Sequence, residues 1–144
     1  MTIYTKAKNG SGTETITPTT AVHGSSGNTF TLVYTAPATR ALYKGKLRIV
    51  VPTGWTAPSK TSTSAGLVQT SLGTLATSSQ TITITALSLQ PGASVTITYG
   101  NVANGAAGVK VGKSTGTFKF TTSEGSTSGA AYVALAVSPT VKLT

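Results

Sequence analysis

Three observations predict an all-β domain, an antiparallel β-sandwich of about eight strands with Greek-key connections. Apolar and polar residues alternate strictly in short runs, the period of strands with one buried face. Turn-forming clusters separate those runs. No stretch carries the three-to-four apolar spacing that an amphipathic helix needs over three turns. Several short strands without intervening helices favour a sandwich over a closed barrel.

The elements follow in chain order. Thr2-Ile3-Tyr4-Thr5 reads as a short strand set apart by Gly10-Ser11-Gly12, so residues 1–11 form an N-terminal strand or flexible arm and residues 12–144 the sandwich. In Asn28–Thr35, Phe30, Leu32 and Tyr34 share one face and threonines line the other. Lys46–Val51 turns Leu47, Ile49 and Val51 inward, and Thr81–Thr85, Ser94–Tyr99 and Thr117–Thr121 repeat the alternation. β-branched Thr, Val and Ile suit such pleated, half-buried surfaces. Turns are expected at His23–Gly27, Pro52–Gly54, Gln90–Gly92, Gly100–Gly108 and Ser123–Ser126. Pro139 implies that the last strand is an edge or carries a bulge. Phe30, Tyr34, Tyr99, Phe118, Phe120 and Tyr132 are assigned to the core.

The chain has 144 residues, one domain's worth, with eleven Lys and Arg, two acids, one His and no Cys, for a formal charge of +9. Only 9% of residues are charged, against roughly a quarter in ordinary soluble domains. The acids are Glu14 and Glu124, and there is no Asp. That shortage excludes an Asp-rich calcium loop, a Ser-His-Asp triad and a Cys or multi-His metal cage, and it leaves no evident carboxylate pair for glycoside hydrolysis. No enzyme, cofactor or metal is expected. No apolar run is long enough for a membrane span, and the first nine residues lack a signal-peptide core, so any secretion signal is expected outside this sequence. With roughly a third of its residues Thr or Ser, the composition points to an exported surface module. Asn9-Gly10-Ser11 matches a glycosylation sequon, but a single match is a weak signal and a turn is the plainer reading of Asn-Gly-Ser-Gly.

Two long strings carry a family resemblance: Ser26-Gly27-Asn28-Thr29-Phe30-Thr31-Leu32-Val33-Tyr34-Thr35-Ala36 and Gly45-Lys46-Leu47-Arg48-Ile49-Val50-Val51-Pro52-Thr53-Gly54-Trp55-Thr56-Ala57-Pro58. Leu87–Gly100, Thr117–Thr122 and Ser138–Val141 extend it. Over residues 12–144 the chain resembles immunoglobulin-like modules repeated in large bacterial cell-surface and adhesin-like proteins. The resemblance implies an immunoglobulin-like sandwich in an extracellular, often tandem, setting, and leaves binding specificity open. Its lysine excess, at Lys44, Lys46, Lys110, Lys113, Lys119 and Lys142, departs from that pattern and points to an anionic partner or environment.

Trp55 sits between turns at a strand end, where it either plugs the sandwich or stacks on a sugar with Tyr43 and Lys44 nearby; the plug is favoured. His23 lacks the partners of a metal site and is read as a turn residue. Surface modules of this general kind sometimes form an isopeptide cross-link between Lys and Asn beside a buried acid. Here the possible amines are Lys46 and Lys119, the electrophiles Asn28 and Asn101, and the acids Glu14 and Glu124. The favoured alternative has Glu14 pointing outward between Thr13 and Thr15, with Lys46 and Lys119 on exposed strand faces. With so few carboxylates, stability is expected to be nearly flat from neutral to strongly acidic pH, suiting an acidic or pH-variable exterior.

The functional expectation is a non-catalytic structural module of an extracellular surface protein or fibre, either a stalk repeat or a filament subunit that pairs with neighbouring copies through edge strands. The alternative is a module binding carbohydrate or anionic cell-wall polymer. Scattered lysines without interleaved aromatics argue against a specific nucleic-acid partner.

Overall fold

The computed structural model describes residues 3–144. The protein is all-β. Among the described residues, twelve strands form three sheets and the only helical element is a 3₁₀ turn at Ala103–Gly105, so the expected count of about eight strands is too low. The first sheet, in the order β1-β3-β8-β5, comprises β1 (Thr13–Thr17), β3 (Phe30–Thr35), β8 (Ser94–Tyr99) and β5 (Val68–Thr70), all antiparallel. The second, β11-β10-β4-β7-β6, comprises β11 (Val133–Ala134), β10 (Thr121–Gly125), β4 (Leu42–Val50), β7 (Thr81–Leu89) and β6 (Thr74–Ser78), also antiparallel. A smaller sheet joins β2 (Thr20–Ala21), β12 (Thr140–Leu143) and β9 (Gly116–Lys119).

Alternation explains the core. Phe30, Leu32 and Tyr34 on β3 and Val95, Ile97 and Tyr99 on β8 are fully buried, as are Leu47 and Ile49 on β4 and Ile82, Ile84 and Leu87 on β7. These residues join one apolar cluster, so the inward faces of the two larger sheets share a core and the architecture is a layered sandwich, not a barrel. Each such side chain contributes about 1.5–3 kcal/mol through removal from water. Val141 and Leu143 of the small sheet extend the same cluster.

Several local expectations change. The run Thr117–Thr121 is not one strand: Phe120 separates β9 from β10, and its amide donates to the Pro139 carbonyl at 2.9 Å. The turn expected at Ser123–Ser126 is largely strand β10, because Ser123, Glu124 and Gly125 pair with Arg48, Leu47 and Lys46 of β4. Pro139 precedes the last strand instead of interrupting it, and β12 is central in its sheet, flanked by β9 and by the parallel β2. Tyr132 leaves the assigned core for the surface, where it is half-buried beneath cations, and Phe118 is only partly buried.

The N-terminal segment packs on its own domain. Thr2, the start of the expected first strand, lies outside the described residues. Ala7 is fully buried, its amide bonds to the Ala41 carbonyl, and the Ala41 amide returns a bond to the Thr5 carbonyl. Further along, Gly10 bonds to the backbone of Glu124, and Asn9 Oδ1 accepts from the Ser126 amide at 3.0 Å.

Candidate functional site

Both acids of this basic chain are buried along one seam between the larger sheets. On β1 the period-2 rule places Glu14 on the same side as Ile16, and the two are the buried positions of that strand. On β10 the same rule turns Thr122 and Glu124 inward. Glu14 is therefore not outward and solvated as the sequence suggested. Its position two residues from Ile16, on the same face of β1, was the signal that could have located it.

The seam is held by hydroxyls and backbone amides. Thr122 Oγ1 donates to Glu14 Oε2, and Ser126 Oγ donates to Glu124 Oε1 at 2.7 Å. The Ser11 amide donates to Glu124 Oε2 at 3.1 Å, and the Tyr34 hydroxyl donates to the Ser11 carbonyl at 2.7 Å. Glu14 Oε1 has no hydrogen-bond partner among the described residues. Gly12 makes room for this arrangement. Its φ of +93° lies in the left-handed region that favours glycine, and a Cβ there would collide with the Tyr34 hydroxyl.

Burial governs the chemistry of these groups. Loss of water raises the Glu14 carboxyl from 4.5 to about 7, partly opposed by the Thr122 hydrogen bond. Glu124 is also raised by burial, with the Ser126 and Ser11 bonds acting in the opposite direction. Burial lifts the Tyr34 phenol far above its usual range, and repulsion from Glu124 and Glu14 adds to the rise, so both carboxylates act on the same ring. The flat acid profile expected from composition does not fit these groups: two carboxyls that are costly to ionise make stability depend on pH.

The other sequence candidates scatter. Trp55 is 3% exposed, packed against Phe30, Phe118 and Phe120 with ring centroids 5.4–6.0 Å away. It plugs the sandwich, and a sugar cannot reach its face. Tyr43 is 41% exposed, and its hydroxyl donates to the Tyr4 carbonyl and accepts from the Tyr4 amide at 3.0 Å, tying down the N-terminal segment. A surface hollow of about 370 Å³ lies beside it, lined in part by Ile3, Tyr4 and Leu89, but neither Trp55 nor Lys44 lines that hollow. Lys44 is exposed where β4 shifts register, and its amide bonds to Ser88 Oγ. His23 is exposed and its Nδ1 lies 2.8 Å from the Thr144 carbonyl.

The proposed cross-linking groups are not brought together. Lys46 Nζ lies over the Tyr132 ring and donates to the Ser128 carbonyl, while Lys119 is exposed on β9. Asn28 Nδ2 is engaged by Ser25 and Val109, and Asn101 Nδ2 by Gln69. The acids bond to hydroxyls and an amide instead of to any of these amines.

Sequence reasoning missed the surface cluster of Lys46, Arg48 and Tyr132. The Lys46 ammonium lies 4.6 Å and the Arg48 guanidinium 4.3 Å from the Tyr132 ring centroid. The i, i+2 spacing of Lys46 and Arg48 was a visible signal for a shared outer face; the tyrosine, distant in sequence, was not. No family model, curated protein or solved structure matches the chain.

Proposed function

We propose that this chain is a non-catalytic, immunoglobulin-like structural module of an extracellular surface protein or fibre, used as a stalk repeat or a self-associating subunit. The observation that carries this reading is the open edge of the five-stranded sheet. Strand β6 pairs on one side only, with β7, and its sequence Thr74-Leu75-Ala76-Thr77-Ser78 has no Lys or Pro to discourage another strand. Its free main-chain groups suit addition of a strand from a second copy. The N-terminal segment is a poorer donor, because its residues are bonded to Ala41 and Glu124 of their own domain.

The polar inventory supports a non-catalytic role. The acids stabilise a seam, Trp55 fills an end of the core, and the lone His23 sits at an exposed turn. The carbohydrate-binding alternative loses Trp55 as its stacking platform. Facing sheets whose strands interleave along the chain support the immunoglobulin-like description.

Sedimentation and electron microscopy test the reading over a range of salt. With a net charge of +9, copies repel, so added salt is expected to promote association and elongated particles if the module is a subunit. A monomer at every salt concentration assigns it to the stalk-repeat form. Compact, closed oligomers that leave β6 accessible would overturn edge pairing.

A further inference from the structure

We propose that the outer face of the five-stranded sheet around Lys46, Arg48 and Tyr132 is a docking surface for an anionic polysaccharide, one whose sugar units carry sulfate or carboxylate groups. This inference goes beyond the structural role and applies equally to a stalk repeat and a fibre subunit.

The charge is unbalanced by construction. Glu14 and Glu124 are buried on hydroxyl and amide donors, so neither is available to neutralise a surface cation. On β4, Lys46 and Arg48 are two residues apart and share the outer face, roughly 7 Å from each other along the strand. Like charges at that spacing repel, and a structural role alone gives no reason to gather them around one ring. Tyr132 holds both by its π-face, with the Lys46 ammonium further anchored on the Ser128 carbonyl. Two cations fixed before a ligand arrives lose less side-chain freedom on binding it.

The surroundings select the class of anion. Arg48 is in register with Ser123 of β10 on one side and Thr83 of β7 on the other, and all three face outward. The next outward level places Thr121 and Thr81 beside Val50. A flat sheet face rich in hydroxyls offers hydrogen bonds to sugar hydroxyls while the paired cations meet sulfate or carboxylate groups. The cations already cover the Tyr132 ring, which leaves no free aromatic platform in the cluster for stacking nucleobases. Charge and hydroxyls together therefore favour a polysaccharide over a nucleic acid.

The test is titration calorimetry of the full chain with dextran sulfate, polygalacturonate, neutral dextran and a single-stranded oligonucleotide at fixed ionic strength. Dextran sulfate or polygalacturonate is expected to bind and neutral dextran is not. The double variant Lys46→Gln/Arg48→Gln is expected to weaken binding about ten-fold, against less than about three-fold for Lys113→Gln/Lys119→Gln, which removes the same charge elsewhere. Amide shifts of the unaltered protein on ligand addition should centre on residues 46–48, 83, 123 and 132, a readout independent of whether a variant folds. Equal losses in the two double variants, shifts spread over all lysines, or tighter binding of the oligonucleotide than of either anionic polysaccharide would each overturn the proposal.

Discussion

Glu14 of β1 and Thr122 of β10 meet across the seam between the two larger sheets, the threonine hydroxyl donating to the carboxylate. One hydrogen bond thus links strands from different layers, between residues 108 positions apart. It connects a residue that is costly to ionise to the packing of the sandwich.

The first prediction concerns pH. Glu14 titrates near 4.5 when unfolded and at about 7 when folded, so the folded protein binds the extra proton between those values. The stability this contributes is fully present below pH 4.5 and is lost as pH rises through 7. The difference is about 3 kcal/mol at most for this one group, and Glu124 shifts in the same direction. Melting temperature should therefore be higher at pH 4.5 than at pH 8. Glu14→Gln should reduce the difference, chiefly by raising stability at pH 8. A wild-type melting temperature that fell steadily from pH 8 to pH 4.5 would contradict this assignment.

Removing the Thr122 hydroxyl provides a complementary measurement. Its hydrogen bond favours the ionised Glu14, so Thr122→Val should move the Glu14 titration further upward. The Glu14 carboxyl carbon, followed by NMR across the pH range, reports that midpoint directly. A downward shift would place the dominant interaction elsewhere.

Gly12 is expected to tolerate no side chain. A Cβ would meet the Tyr34 hydroxyl, and the φ of +93° is unfavourable for an L residue even in open space. Gly12→Ala should cost about 1–3 kcal/mol and expose the bond between Tyr34 and Ser11 to exchange. Urea unfolding measures the cost, with the equivalent Gly54→Ala as a comparison, since a Cβ at Gly54 meets open space although its φ is also positive.

Trp55 should report on packing. Its emission should be that of a buried indole and be insensitive to added polysaccharide, and Trp55→Phe should remain folded. Trp55→Ala should lose about 3–5 kcal/mol through the cavity left beside Phe30, Phe118 and Phe120. Selective loss of sugar binding at unchanged stability would instead make Trp55 a ligand contact.

The cross-link chemistry has a direct readout. Lys46 is engaged at the surface and Glu124 by Ser126 and Ser11, so the intact mass should equal that of the unmodified polypeptide. A chain lighter by one ammonia would show a bond between a lysine and an asparagine.

Local alternation was enough to read the strand faces. Phe30, Leu32, Tyr34, Leu47, Ile49, Ile82, Ile84, Val95 and Ile97 are buried because each follows the period of its own strand. The same period already placed Glu14 with Ile16, but general avoidance of buried charge argued the other way. What reversed that argument was a hydroxyl on another sheet, which no local pattern reveals. The break at Phe120 was hidden for the same reason: the continuous alternation in Thr117–Thr121 carries no mark that its two halves belong to different sheets.

By itself, the sequence determined an all-β chain with threonine-rich faces, few acids and a large positive charge, because these follow from composition and short-range periodicity. Only the tertiary structure decided how that charge is disposed. Packing withdrew both acids into a hydroxyl-lined seam and brought Tyr132 against Lys46 and Arg48, since burial and hydrogen-bond partnership depend on residues remote in the chain. Eleven cations against two acids is a count; the absence of those acids from the surface is a consequence of folding.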